Sequence, residues 1–349
     1  MGRVDALDTM KALGLTVIVY GHVAHATTVA LAPPIYVKQF GVAFFLFAAA
    51  FSLARERRSP VSAVVRRLRP VYGYGLALAL VLTALGAASG TGLALSNYLP
   101  FAGGVNVVRD AFPVNPTTWY IGTYVHALLL WAVLLRHVVV KRWMIAAAIV
   151  VEIPVRAALM QFAGPYVAYM LLTNWTSVLL LGFYCGSRQP APERHAPVAA
   201  AGFATLLAVL LAGSAAIFWN LLQTVPTFPL MTIAPGSGWG AALIVAAGTS
   251  WCYFVTTLLV FAVARRLPAP ALAKFIARNS LIVFLVHMPV YFALSPVLTG
   301  LGLPYWPRAL VQFVICLFGL ALFSEAIRAV LPAWPAHRRV SLGLVHESR

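Results

Sequence analysis

Long apolar runs separated by short polar connections are the dominant pattern along this chain of 349 residues. A helix of about 20 apolar residues crosses the roughly 30 Å hydrocarbon core of a bilayer. The runs of sufficient length predict an all-α fold, a polytopic membrane bundle of about ten transmembrane helices. The predicted spans are 12–32, 35–54, 70–89, 119–138, 143–162, 166–186, 197–216, 241–263, 280–298 and 309–330.

The composition also favours a membrane protein. Hydrophobic residues make up 62% of the chain and charged residues only 9%, with a mean hydropathy of +0.88. Soluble domains carry about 25% charged residues, so a single soluble core is excluded. The net charge of +17 does not indicate a nucleic-acid partner, because the basic residues are dispersed between the apolar runs. We expect membrane lipids as the surroundings and no nucleic acid.

The positions of the basic residues predict the orientation. With the N-terminus in the cytoplasm, every Lys and Arg except Lys38, Arg109, Arg156 and Arg308 falls in a cytoplasmic connection or terminus. An excess of positive charge on the cytoplasmic side is the usual arrangement. We therefore predict cytoplasmic termini, a single transmembrane domain spanning 1–349 and a short cytoplasmic tail at 331–349.

Two predicted outer connections, 90–118 and 217–240, are long and rich in Gly, Pro and aromatic residues. These residue types indicate structured caps at the outer interface more than flexible linkers. Two interpretations remain open: a docking surface for a substrate, or an interfacial belt of aromatic side chains without a ligand.

Few ionisable side chains lie within the predicted spans, and each costs at least about 2.5–3.5 kcal/mol at the centre of a helix. They are His22, His25, His126, Glu152, Arg156, His287 and Glu325. Glu152 and Arg156 are four residues apart, which predicts a mutually neutralising structural pair. We interpret His25 and His126 as core histidines. The three cysteines lack metal-ligand spacing, so no metal site is expected.

The first predicted span carries polar groups at two depths on one face. His22 follows Lys11 by eleven positions, or about three helical turns, which places the two residues roughly 16 Å apart along the axis. Asp8 falls near the same stripe and can orient Lys11. His22 is a candidate general base, because a neutral imidazole can take a proton from a hydroxyl. The alternative is a core histidine bonded to a neighbouring helix.

A run of arginines precedes the third predicted span. Arg66 and Arg69 are one helical turn apart, a spacing at which two guanidinium groups can clamp phosphate oxygens. Anchoring to anionic lipid is the preferred interpretation for Arg55, Arg57 and Arg58, and it is the competing interpretation for Arg66 and Arg69.

Several of these segments resemble the integral-membrane acyltransferase family 3, which includes O-acetyltransferases of O-antigen, exopolysaccharide and Nod factor. The matching pieces are Lys11-x10-His22, Arg66-x-x-Arg69-Pro70 and the segment Ser280–Val290 with His287, and weaker ones are Trp119-Tyr120-Ile121 and Ser324–Arg328. Lysine at position 11 is similar to the fucose 4-O-acetylase-like branch. Ala49-Ala50 stands where the family commonly has Ser-Gly.

The resemblance implies an acyl-CoA-dependent O-acyltransferase of the bacterial inner (cytoplasmic) membrane. It would move an acyl group, expected to be acetyl, from cytoplasmic acyl-CoA to a sugar hydroxyl of an envelope or exported glycan or of a lipid-linked sugar. Acetyl-CoA is then a co-substrate, and no permanently bound cofactor is expected.

The resemblance also implies roles for individual residues. His22 acts as general base or acyl carrier together with Lys11. Lys11, Arg66 and Arg69 hold acyl-CoA. The residues expected to support the site or line the acceptor side are Asp8, Trp119, His287 and Glu325. The alternative function is a proton-coupled transporter or flippase of a glycan or lipid-linked substrate, with the buried histidines and Glu325 as a proton relay.

Overall fold

The computed structural model describes residues 4–25, 38–89, 95–109, 111–113, 118–188 and 238–330, and within these ranges the secondary structure is helical, with no strand. The helices are α1 (Asp5–His25), α2 (Lys38–Ala54), α3 (Pro60–Ala88), α4 (Tyr98–Ala102), α5 (Asn106–Arg109), α6 (Trp119–Val133), α7 (Arg142–Phe162), α8 (Pro165–Met170), α9 (Thr176–Ser187), α10 (Trp239–Ala264), α11 (Ala271–Gly300), α12 (Tyr305–Val314) and α13 (Leu320–Val330). A π-helical segment, Ile315–Gly319, joins the last two helices.

Six helical stretches of the described chain are long and apolar enough to cross a membrane. They are Pro60–Ala88, Trp119–His137, Arg142–Phe162, Trp239–Ala264, Ala271–Gly300 and Tyr305–Ala329, and α2 is a shorter apolar helix of 17 residues. The prediction of an all-α membrane protein is confirmed for this part of the chain. The count of ten and the side on which the termini lie stay predictions. The predicted span 197–216, the tail 331–349 and most of the connection 217–240 fall outside the described residues.

The helices near the arginine run extend beyond the predicted spans. α1 begins at Asp5, so that Asp8 and Lys11 lie within the helix. α3 begins at Pro60, which suits the first turn of a helix because proline lacks the N–H that would be unbonded there. The run from Arg66 to Arg69 therefore projects from regular helix.

The predicted span 166–186 is wrong as one continuous helix. The segment consists of α8, a 3₁₀ turn at Leu172–Trp175 and the 12-residue α9. Buried side chains satisfy the interrupted backbone: the Asn174 amide donates to the carbonyl of Ala168, and the Trp175 indole donates to the carbonyl of Tyr169 at 2.8 Å. Irregular backbone of this kind is stable within a membrane only where protein groups pair with it.

Glycines bring α2 into close contact with α9. A Cβ added to Gly182 would lie 2.6 Å from the carbonyl oxygen of Phe47 and 2.7 Å from the Cβ of Ala50. Small residues permit this approach between membrane helices, where van der Waals packing stabilises association. The family commonly has glycine at position 50. Here Ala50 occupies that position, and Gly182 of the opposing helix α9 permits the close contact instead.

A buried ion pair connects α7, α9 and α10. Arg156 donates to Oε1 of Glu152 at 2.9 Å, and both side chains are almost fully buried. Glu152 also accepts from the backbone N–H of Ser177 at 3.0 Å and from the hydroxyl of Ser250 at 2.8 Å. The prediction that Glu152 and Arg156 pair with each other is confirmed.

Candidate active site

A pocket of about 190 Å³ lies between α1, α2, α3, α6 and α11. Two cationic side chains and four hydroxyl groups line it together with aliphatic and aromatic walls. The lining residues are Lys11, Phe45, Ala48, Ala49, Ser52, Arg67, Val71, Tyr120, Ile121, Tyr124, Ser280, Leu281, Phe284 and Leu285. This combination suits a ligand that is anionic at one end and apolar along its length.

The cationic part of the pocket is formed by Lys11 and Arg67. The Arg67 guanidinium donates to Oε2 of Glu56 at 3.2 Å and to the carbonyl of Ser52 at 3.4 Å, and it is hydrogen-bonded to the Tyr124 hydroxyl. Partial burial by itself raises the pKa of Glu56, but the hydrogen bonds and charges of Arg67 and Arg58 together outweigh it and hold that pKa below its ordinary value. Arg67 is thus fixed in place by a carboxylate that is charged at neutral pH.

A four-residue repeat on α3 turns Arg67 toward the bundle. Most of this helix is exposed, and its buried residues are Ala63, Gly75 and Ala79. Arg67 and Val71 continue the same spacing of four, which forms one ridge along a helix. The ridge packs on the bundle, so Arg67 lines the pocket.

The two arginines of the sequence motif project elsewhere. Arg66 and Arg69 are both exposed and do not line the pocket. Consecutive helical residues differ by about 100°, so Arg66 points well away from the direction of Arg67. The structure places all three at the end of the bundle that also carries Lys11, which we call the basic end. A role of Arg66 and Arg69 in holding acyl-CoA stays a prediction.

Deeper in the bundle, the rings of His22 on α1 and His287 on α11 lie side by side, with centroids 5.1 Å apart and planes inclined by 52°. Nδ1 of His287 lies 2.7 Å from the carbonyl oxygen of Phe284 and 3.1 Å from that of Val283. Carbonyl oxygens only accept hydrogen bonds, so Nδ1 carries the proton and Nε2 of the neutral ring carries a lone pair. That Nε2 is buried and has no hydrogen-bond partner among the residues described.

A lysine reaches the histidine pair from α2. A Cβ added to Gly21 would lie 2.7 Å from the Cβ and 3.3 Å from the Cγ of Lys38, so the lysine side chain runs directly beside this glycine. The Lys38 ammonium is close enough to act electrostatically on the His287 ring. Positive charge near the His287 ring can stabilise negative charge that develops on a reacting oxygen there.

Three aromatic rings in mutual contact line the pocket, and one of them also neighbours the histidine pair. The rings of Phe45, Tyr120 and Phe284 come from α2, α6 and α11, and all three line the pocket. Their centroids are 6.3 Å apart for Phe45–Tyr120, 6.0 Å for Phe45–Phe284 and 5.1 Å for Tyr120–Phe284. Phe284 is also 6.0 Å from His287. We call this group the aromatic triangle.

Other residues predicted for the site lie around it. Asp8 is buried on α1 one turn before Lys11, and Trp119 contacts Tyr120 and Tyr169 without lining the pocket. The side chain of His25 lies outside the described part of the structure.

Glu325 lies at the basic end. It accepts hydrogen bonds from Arg278 at 2.8 Å and from Asn279 at 2.7 Å. Asn279 precedes His287 by eight residues on α11, or about 12 Å along the helix axis. Glu325 therefore lies beside the part of α11 that lines the pocket, away from the histidine pair.

Sequence reasoning missed Arg67, Lys38 and the aromatic triangle. The small residues spaced at four mark the face of α3 that carries Arg67, but they do not show which side chains of other helices that face meets. The three aromatic residues carry no local signal, because each looks like an ordinary apolar position of a membrane helix.

Fold and site define an all-helical membrane protein with a cationic pocket and a buried histidine pair beyond it. The sequence model of acyltransferase family 3, described as an acyltransferase domain, matches residues 4–324. The match covers nearly the whole chain, so the chain belongs to this family and is a membrane acyltransferase. No curated protein and no solved structure matches the chain.

Proposed function

We propose that this protein transfers an acyl group, expected to be acetyl, from acyl-CoA to a sugar hydroxyl of an envelope or exported glycan. The observation that carries this proposal is the order of groups along α1 and α11. Lys11 and Ser280 line the pocket, whereas His22 and His287 lie further along the same two helices. One extended substrate entering at the basic end reaches the histidines with its far end.

The donor fits this order of groups. Phosphates of CoA bind Lys11 and Arg67 at the basic end, since guanidinium and ammonium groups are the usual phosphate ligands. The pantetheine arm then runs between α1 and α11 over the roughly 16 Å that separate Lys11 from His22. We place the basic end in the cytoplasm, following the distribution of positive charge, and the protein in the bacterial inner membrane.

The transfer step uses His22. In one form of the reaction His22 takes the proton from the acceptor hydroxyl while the acceptor oxygen bonds to the acyl carbon. The carbon–sulfur bond then breaks, and the proton passes from His22 to the CoA thiolate. In the other form His22 attacks the thioester first, and the carbon–sulfur bond breaks to release the CoA thiolate. The acceptor oxygen then bonds to the acyl carbon, the bond from the acyl carbon to the imidazole breaks, and the hydroxyl proton passes through His22 to the thiolate. The dry helical environment protects the thioester from hydrolysis in both forms.

The direct test uses purified protein in liposomes with radiolabelled acetyl-CoA and an envelope glycan fraction of the source cells. Label recovered in the glycan, together with released CoA, supports the proposal. Uptake of the glycan into the liposomes without acetylation supports the transporter alternative and overturns acyl transfer.

Replacing Arg67 by alanine is expected to raise the KM for acetyl-CoA by about 10–100-fold, because a hydrogen bond to a charged group contributes about 1.5–3 kcal/mol. The KM of Arg67→Lys is expected to lie between those of the native protein and Arg67→Ala, since lysine keeps the charge but lacks the planar guanidinium group. Steady-state kinetics with varied acetyl-CoA measures both.

The matched control is Arg57→Ala, an exposed arginine of the α2–α3 connection, whose KM is expected to equal that of the native protein. The Arg66→Ala/Arg69→Ala double variant tests the phosphate clamp predicted from sequence, and an unchanged KM assigns those residues to lipid anchoring. An unchanged KM for Arg67→Ala contradicts the binding of the CoA phosphates by Arg67.

A further inference from the structure

The aromatic triangle lies on the route that the acyl group must follow. Its three residues line the pocket in mutual contact, and Phe284 joins the pocket to His287. The acyl group is the leading end of acyl-CoA when the phosphates stay at Lys11 and Arg67. The acyl group therefore meets the triangle before it reaches His22.

The triangle is tightly packed. Ring centroids between 5.1 and 6.3 Å apart correspond to rings in direct contact, which leaves no open channel between them. A small acyl group requires a small displacement of the rings, whereas each added methylene requires a larger one. Overpacking of this kind is costly in protein interiors because they are already close to maximal density.

From this geometry we infer that the aromatic triangle of Phe45, Tyr120 and Phe284 selects the acyl group by size and restricts the enzyme to short-chain acyl-CoA. This inference rests on the proposed function, and it adds a determinant of donor specificity. The rings also keep water from the histidine pair while the pocket holds no thioester.

The test is a series of acetyl-, propionyl-, butyryl- and hexanoyl-CoA, with kcat/KM measured for the native protein and for Phe284→Leu and Phe45→Leu. Leucine keeps the position apolar and limits the loss of stability. The native protein is expected to lose activity steeply with chain length. In either variant the ratio of kcat/KM for hexanoyl-CoA to that for acetyl-CoA is expected to rise by about tenfold or more, since one methylene in an apolar site changes selectivity by about 10–200-fold.

Phe47→Leu is the matched control. Phe47 lies two residues from Phe45 on α2 but packs against Phe51 and Phe261, with a centroid distance of 4.7 Å to Phe261, and it does not line the pocket. Its acyl-length profile is expected to match the native one. Phe45→Leu and Phe284→Leu act at one site from two helices, so a folding defect in one leaves the other as the test.

The outcomes separate the inference from the proposed function. If the native protein transfers no acyl group from any member of the series, acyl-CoA is not the donor and the proposed function fails. If it transfers acetyl but both triangle variants keep the native profile, or if it uses hexanoyl-CoA as well as acetyl-CoA, the size selection is overturned.

Discussion

Alanine in place of His22 is expected to lower acyl transfer by about 10²–10⁴-fold, the usual contribution of a positioned general base. The imidazole is the group at this depth of α1 that can take a proton from a hydroxyl at neutral pH, and the methyl group of alanine provides no lone pair. Binding of acetyl-CoA is expected to remain, because Lys11, which we propose binds its phosphates, lies about 16 Å away along the helix.

The measurement combines transfer kinetics with direct binding of radiolabelled acetyl-CoA to the purified variant. The matched control is His126→Ala. His126 is half-buried on α6, hydrogen-bonds the backbone of Gly104 and does not line the pocket, so its variant is expected to keep most of the transfer activity. Undiminished transfer by His22→Ala disproves the catalytic assignment.

A labelling experiment with the native protein distinguishes a base from an acyl carrier at His22. Native protein incubated with labelled acetyl-CoA in the absence of acceptor, then quenched and digested, yields an acetylated peptide containing His22 if the imidazole carries the acyl group. Label that appears only in the glycan, at every time after mixing, assigns His22 as the base.

Removal of Glu152 is expected to have the largest effect on stability, a loss of about 3–5 kcal/mol for Glu152→Ala. Arg156 would be left as a buried cation, and the backbone N–H of Ser177 and the hydroxyl of Ser250 would lose their acceptor. The three helices that meet at this carboxylate, α7, α9 and α10, would lose their shared polar contact in a medium without water.

Native cysteines provide the readout. Cys252 and Cys316 are buried, so a maleimide dye added during heating reports unfolding of the bundle. Glu152→Leu/Arg156→Met is the matched control: replacing both charges by apolar groups often restores stability, because no uncompensated charge remains. A thermal midpoint of Glu152→Ala equal to that of the native protein would show that the pair contributes nothing.

The histidine pair brings α1 and α11 into contact within the bundle. The resemblance implies that His287 supports the site from the acceptor side, and the structure places its ring beside His22 with an available Nε2 lone pair. The tautomer of His287 is fixed by the backbone carbonyls of Val283 and Phe284, which precede it on the same helix. The sequence could not show that α11 meets α1 at this depth.

Two features were determined by the sequence alone. The length and apolarity of the runs require helices in a bilayer, because an unpaired backbone cannot be buried in hydrocarbon. The 3.6-residue period places Lys11 and His22 on one face at two depths, whatever surrounds α1.

The tertiary structure alone decided which side chains meet. Arg67, not its neighbours, enters the pocket because packing of the small residues of α3 fixes the rotation of that helix. Phe45, Tyr120 and Phe284 form a triangle because three helices distant in sequence are held at one level. The rotation and depth of a helix relative to its neighbours depend on the summed packing of the whole bundle, and a local pattern of apolar residues does not contain them.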